Sequence, residues 1–193
     1  MLKRLALLTM LAMLALVALC AVAGPALAAK QPAAPPSSAV LWPFSQGKTM
    51  WTYVDANGAY DVDVIHTEPI PSGLTVWIAL GIVESSVQQC LAWESAFRYS
   101  ATVVAAPGGI VGSLTPEQNA LYWSKPYRDP ELVPNSVAEF WVPLGHLAPA
   151  QHTLTFTESL ATPFVDYWWE DGELQSYAYD PFTAVYRSTF TVR

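Results

Sequence analysis

The chain has 193 residues, of which 52% are hydrophobic, and its nine basic and 16 acidic side chains give a formal net charge of −7. This acidic balance argues against a nucleic-acid or anionic-membrane partner, because phosphate contacts need clustered lysine and arginine. The apolar content argues against disorder in the body of the chain, and the length suits about one domain.

Residues 1–28 have the order of parts of a secretory signal peptide. Lys3 and Arg4 form a basic start, residues 5–23 an apolar run, and Ala26-Leu27-Ala28 a small-x-small cleavage site. Seven basic and all 16 acidic residues follow Ala28, so cleavage there changes the net charge to −9. The sequence therefore predicts a secreted, cell-surface or periplasmic protein with no membrane span after signal removal.

Two other fates of this segment stay open. The apolar run is nearly long enough to cross a bilayer and would form an anchor if it were retained. Cys20 could instead carry a lipid, as in bacterial lipoproteins, although Leu19 stands where that pattern has a small residue.

Cleavage would leave Cys90 as the sole thiol of the mature chain and would exclude an internal disulfide. An odd cysteine in an exported protein can form an intermolecular bridge, act as a reactive thiol or pack as a small hydrophobe. Val87, Leu91 and Trp93 lie nearby and favour the packed interpretation.

After the signal, residues 29–39 are rich in Ala, Pro and Ser. This composition is typical of an extended linker. We therefore expect the folded domain to cover residues 40–193.

The first hairpin of the domain is predicted at Asn57-Gly58, because a type I′ turn needs positive φ at both central residues. Pairing outward from the turn sets Tyr53 opposite Val62 and Trp51 opposite Val64 on an apolar face. The opposite, polar face then carries Thr52, Val54, Asp61 and Asp63.

The middle of the chain predicts two strands and a helix. Residues 74–83 are apolar on both faces, as in a central strand, and residues 97–103 alternate as in a half-buried strand. Thr115 suits a helix N-cap with Gln118 at the capping-box position, and the helix is expected to end near Ser124.

Strands are also predicted around Phe140 and Leu154, then a second hairpin at Asp171-Gly172 and a last strand over residues 184–192. About eight strands with one short helix predict an all-β fold, best fitted by a β-sandwich.

The segment LAPAQHTLTF at residues 147–156 and the closing STFTV at 188–192 resemble the last strands of immunoglobulin-like domains of secreted bacterial proteins. Gln151 departs from the glycine usual before the His-Thr pair of such strands. The resemblance implies an antiparallel immunoglobulin-like β-sandwich and transfers no site, because these domains serve many functions.

The second hairpin, residues 164–179, is rich in aromatic side chains and has an acidic tip. Pairing across the turn sets Trp168 opposite Gln175 and Trp169 opposite Leu174, so the two tryptophans point to opposite faces. The aromatic face either closes one side of the sandwich or stacks on a sugar ring. The candidate ligand-binding residues are Trp168, Trp169, Tyr177, Tyr179, Glu170 and Glu173.

A secreted hydrolase would need two carboxylates, one of them as acid and the other as base or nucleophile. The candidates by residue type are Glu84, Glu94, Glu139 and Glu158. Nothing in their spacing singles out a pair, so no catalytic residue is assigned.

Metal binding has two weak starting points. Asp55, Asp61 and Asp63 follow no Ca²⁺-loop spacing, and no motif completes a Zn²⁺ site around His146 and His152. We expect neither a metal nor a cofactor.

The sequence thus favours an exported binding or structural module at or outside the cell surface. Its expected partner is an extracellular polysaccharide or another cell-surface protein. The alternative is a carbohydrate-binding module that uses hairpin 164–179, and the third hypothesis is the secreted hydrolase.

Overall fold

The computed structural model describes residues 37–55, 64–106 and 108–193. The predicted Asn57-Gly58 turn lies outside these residues, and so does Val62, the predicted partner of Tyr53. In chain order the strands of the described part are β1 (Ser38–Trp42), β2 (Gly47–Lys48), β3 (Met50–Val54), β4 (Thr75–Glu84), β5 (Phe97–Ala105), β6 (Ile110–Leu114), β7 (Ser136–His146), β8 (Ala150–Leu160), β9 (Phe164–Glu170), β10 (Glu173–Tyr179) and β11 (Phe182–Val192).

These strands form three sheets, which confirms the predicted all-β class. The first sheet has the order β3-β1-β4-β7, the second β2-β11-β8-β5-β6, and β9 pairs with β10 in a sheet of two strands. Strand β1 runs parallel to β4, and β2 runs parallel to β11. The two large sheets are therefore mixed, and the prediction of purely antiparallel pairing is wrong at these two places.

One hydrophobic core takes residues from both large sheets. From the first sheet it includes Val76, Ile78 and Phe140, and from the second Tyr99 and Phe156. The alternation of inward side chains along strands produces this arrangement, since residues two apart share a face.

Strand β4 confirms the central strand predicted for residues 74–83. It lies between β1 and β7, and Val76, Ile78 and Leu80 face the main core. On the other face, Ala79 joins Val40, Val54 and Trp141 in a second buried cluster. Both faces of β4 are covered, as its apolar sequence requires.

The structure corrects the register predicted next to β3. Trp51 pairs with His66 instead of Val64, through backbone hydrogen bonds of 3.0 and 2.8 Å, and the two rings stack with centroids 4.5 Å apart. Val54 is buried on the face predicted to be wet, whereas Tyr53 is 41% exposed. The reason is the second cluster, which makes the outer face of this sheet apolar.

The described residues contain one helix that sequence reasoning missed and one that it found. Helix α1 (Val87–Ala96) begins after Ser86, whose hydroxyl accepts a hydrogen bond from the Gln89 N–H at 3.2 Å. The predicted helix after Thr115 is a 3-10 helix, Pro116–Leu121, in which the Gln118 side chain accepts the Thr115 N–H at 2.9 Å. Among the described residues, no helix has the length and apolarity needed to cross a membrane.

Candidate functional site: the aromatic hairpin and the acid cluster beneath it

Strands β9 and β10 form the second hairpin with the predicted register. Trp168 lies opposite Gln175 and Trp169 opposite Leu174. The two turn residues, Asp171 and Gly172, have φ angles of 51° and 80°. Positive φ at both central positions is the signature of the type I′ turn, whose twist matches that of the flanking strands.

The register divides the hairpin into two faces. The first, here called the inner face, carries Phe164, Asp166, Trp168, Glu170, Glu173, Gln175, Tyr177 and Tyr179. The outer face carries Val165, Tyr167, Trp169, Leu174, Ser176 and Ala178. Trp168 and Trp169 therefore point to opposite faces, and both are half-buried. Neither belongs to the buried clusters.

The base of the inner face packs on the body of the protein. Tyr179 makes edge contacts with Trp93 and Phe97, both with ring centroids 5.7 Å apart. Phe164 contacts the same two rings at 5.6 and 5.4 Å. Trp93 itself stacks on Phe97 with centroids 3.9 Å apart. Edge-to-face arrangements of this kind stabilise aromatic clusters beyond the burial of their area.

The distal half of the inner face is less covered. Tyr177 is half-buried and contacts Tyr179 edge-on at 4.6 Å. The Trp168 indole N–H donates to Glu170 at 3.4 Å. Glu170 and Glu173 are exposed and lie opposite each other beside the turn.

Hydrogen bonds tie strand β9 to the body at three places. The Ser85 N–H donates to the Tyr167 carbonyl at 2.6 Å, and the Gln89 amide donates to the Val165 carbonyl at 2.8 Å. Asn135 uses its side chain twice, accepting from the Trp169 N–H and donating to the Trp169 carbonyl, both at 2.8 Å. These contacts hold the hairpin while leaving it outside the ladders of the large sheets.

Three buried carboxyl groups lie at the junction of the hairpin with the body, and we call them the acid cluster: Glu84, Glu158 and Asp166. Their side chains are 1%, 6% and 8% exposed. Glu84 and Asp166 are hydrogen-bonded to each other. Ser136 lies directly opposite Glu84 across β4 and β7, and its buried hydroxyl has no hydrogen-bond partner.

Burial raises the pKa of all three carboxyl groups of this cluster and so favours their protonated forms. It raises the pKa of Glu84 to about 11, helped by the hydrogen bond with Asp166 and the charge of that group, and it also raises the pKa of Asp166. Burial raises the pKa of Glu158 to about 7, although a hydrogen bond with Tyr99 opposes the change. Two carboxyls in contact cannot both ionise cheaply, so Glu84 and Asp166 share at least one proton at neutral pH.

Tyr99 connects the cluster to the aromatic base. Its hydroxyl accepts a hydrogen bond from the Trp93 indole at 3.0 Å and also bonds with Glu158. Asn119 fixes Tyr99 from the other side, accepting its N–H at 2.7 Å and donating to its carbonyl at 2.9 Å. Burial raises the pKa of the Tyr99 hydroxyl.

Cys90 lies in α1 beside the same cluster. It is fully buried, as the sequence suggested, and burial raises its pKa to about 12, with Glu84 and Glu94 adding to the effect. Because the thiolate is the reactive form, this thiol is a packing group and a poor nucleophile.

The hydrolase hypothesis needs a pair of carboxyl groups, and the structure shows where the candidates lie. It joins Glu84 to Asp166, a pairing that sequence reasoning did not single out. Both groups are closed to solvent. Glu139 is buried on the other face of the first sheet, opposite Gly81, and Glu94 lies on α1.

Of the possible metal ligands, the structure describes Asp55, His146 and His152. His152 is buried against Phe190, and its Nε2 bonds with the Ala148 carbonyl at 3.0 Å, whereas His146 is exposed. Asp61 and Asp63 lie outside the described residues. Within residues 37–55, 64–106 and 108–193, no three His, Cys, Asp or Glu side chains are grouped to hold a metal ion.

Comparison with protein-family models, curated protein sequences and solved structures found no match to the chain.

Proposed function

We propose that the chain is an exported binding module whose two large sheets form an immunoglobulin-like β-sandwich and whose second hairpin is the binding element. The shared core of the two sheets and the resemblance of the last strands support the sandwich. The signal-like residues 1–28 support export to the cell surface or beyond.

The export proposal predicts a defined N-terminus. Intact mass of the protein recovered outside the cytoplasm should correspond to a chain that begins near Ala29, because the small-x-small site ends at Ala28. Full-length chain recovered in the membrane would contradict cleavage. A lipid adduct on Cys20 would replace this proposal by the lipoprotein alternative.

The ligand class that fits the hairpin best is an extracellular polysaccharide. The observation that carries this proposal is the distal half of the inner face, where half-buried Trp168 and Tyr177 stand beside Gln175, Glu170 and Glu173. Trp168 and Tyr177 are diagonal neighbours across the two strands, within reach of each other. Flat apolar rings flanked by hydrogen-bonding groups suit the apolar face and the hydroxyl rim of a sugar.

The test is a matched pair of variants, Trp168→Ala and Trp169→Ala, assayed on a panel of polysaccharides. The two residues are adjacent, half-buried and of one type, but lie on opposite faces. Trp168→Ala should weaken binding by about thirtyfold, because aromatic anchors commonly contribute about 2 kcal/mol or more. Trp169→Ala should bind like the parent protein. A parent protein that binds nothing on the panel, or equal losses in both variants, would exclude the inner face as a glycan platform.

A further inference from the structure

The aromatic inner face of the hairpin ends at the turn in negative charges that the hairpin itself does not balance. Glu170 and Glu173 are exposed and lie directly opposite each other on this face, and Asp171 stands between them in the turn. Residues 164–179 contain no Lys, Arg or His. The ion pair found among the described residues lies outside the hairpin.

This arrangement is unfavourable for the hairpin alone. Like charges directly opposite each other on a β-ladder destabilise the pairing of the strands. The turn itself depends on Asp171 and Gly172, which take the positive φ angles, and does not require glutamate on either side. A cation placed between Glu170 and Glu173 would remove their mutual repulsion.

One of the two carboxylates is joined to the aromatic surface. The Trp168 indole N–H donates to the Glu170 Oε2 at 3.4 Å, so the carboxylate stands at the edge of the ring. Glu170 is also the next residue after Trp168 on the same face of β9, at a spacing of about 7 Å along the strand. A charged group that projects toward the turn from a sugar stacked on Trp168 therefore meets a carboxylate.

We propose that the inner face selects amino sugars, that is, polysaccharides whose sugar rings carry free, protonated amines, and that Glu170 and Glu173 determine this specificity. The proposal rests on the proposed function, since it assigns the ligand class of the same aromatic face. The ammonium donates hydrogen bonds to the two carboxylates while its sugar ring stacks on Trp168, whose π-face also attracts a cation.

The same charges disfavour the other classes of polysaccharide. A uronic acid places a further negative charge against the turn, and the net charge of −7 on the chain repels a polyanion over a longer range. A neutral glucan stacks on the ring but leaves the repulsion between Glu170 and Glu173 in place.

The test uses the mature full chain and three β-1,4-linked hexamers that share one backbone and differ at carbon 2. The hexamer of glucosamine carries an ammonium there, that of glucose a hydroxyl and that of N-acetylglucosamine an acetamide. Calorimetric titration at pH 5.5 and low salt should show the glucosamine hexamer binding about tenfold more tightly than the glucose hexamer, because each of two exposed ion pairs contributes about threefold. Most of this preference should disappear in 0.5 M salt.

Two single variants assign the preference to the turn. Glu170→Gln and Glu173→Gln should each weaken binding of the glucosamine hexamer about threefold and leave binding of the glucose hexamer unchanged. Glu170→Gln keeps an oxygen that can accept the Trp168 indole N–H. Glu117→Gln is the matched control, because it removes the same charge from an exposed side chain of the 3-10 helix, and it should bind like the parent protein.

Equal affinity for the glucosamine and glucose hexamers would overturn the selection of amino sugars, and so would a preference that survives when Glu170 and Glu173 are both replaced by glutamine. If Trp168→Ala still abolishes binding of the neutral hexamers in that case, the proposed function stands. Binding of the glucosamine hexamer that depends on the two glutamates but not on Trp168 would instead refute the aromatic platform. A parent protein that binds none of the hexamers would refute both claims.

Discussion

Replacing Phe97 by alanine is expected to lower the free energy of unfolding by about 3 to 5 kcal/mol, the usual cost of removing a buried phenylalanine. Phe97 is 1% exposed and stacks on Trp93, and it is the ring on which Phe164 and Tyr179 of the hairpin rest. Its removal opens a cavity at the junction of hairpin and body. Urea unfolding at pH 6 measures the change.

The control for this variant is Leu121→Ala, because Leu121 is 76% exposed. A surface change of this kind usually stays within about 0.5 kcal/mol. A loss below about 1 kcal/mol for Phe97→Ala would contradict the packing described for the aromatic base.

The protein is also expected to be more stable at pH 5 than at pH 7.5. A carboxyl whose pKa is raised on folding favours the folded state below its unfolded pKa, and this stability is lost as the pH rises to the folded value. For Glu158, a rise from 4.5 to about 7 corresponds to a loss of about 3 kcal/mol. Glu84 and Asp166, whose pKa values are also raised by burial, change the stability in the same direction.

Urea unfolding at the two pH values measures this slope, and Glu158→Gln should reduce it. Glu68 and Glu117 have lowered pKa values and act in the opposite direction, but both are exposed, so their contribution is small. A parent protein that is equally stable at both values, or more stable at pH 7.5, would show that the acid cluster is not protonated as described.

The second hairpin could be predicted because its information is local. Asp171-Gly172 defines the turn, and the register and the two faces follow from counting outward with period two. The same counting at Trp51 gave Val64, two residues short of its partner His66, and it placed Val54 on a polar face that a second apolar cluster covers. Those neighbours are distant in sequence and no turn signal specifies them.

Helix α1 was missed for a different reason. Its apolar residues, which include Val87, Leu91 and Trp93, show no clear helical period, because the helix has a single fully buried residue, Cys90. The cap at Ser86 was the available signal, and serine is common in loops as well.

The acid cluster was partly visible in the alternation of the strands. Glu158 continues the inward positions of Leu154 and Phe156, and Glu84 continues those of Leu80 and Ile82. A carboxylate at an inward position of an apolar strand indicates a buried acid. The partner of Glu84 could not be found this way, because Asp166 approaches Glu84 only where the hairpin packs on the body.

The most direct test of the account is to observe the two hairpin indoles during ligand binding. Nuclear magnetic resonance can follow the indole N–H resonances, and the two alanine variants assign them. On titration with an oligosaccharide that the protein binds, the Trp168 resonance should shift while the Trp169 resonance stays unchanged. A shift confined to Trp169, or binding that moves neither indole, would contradict the assignment of the inner face of the hairpin as the binding surface.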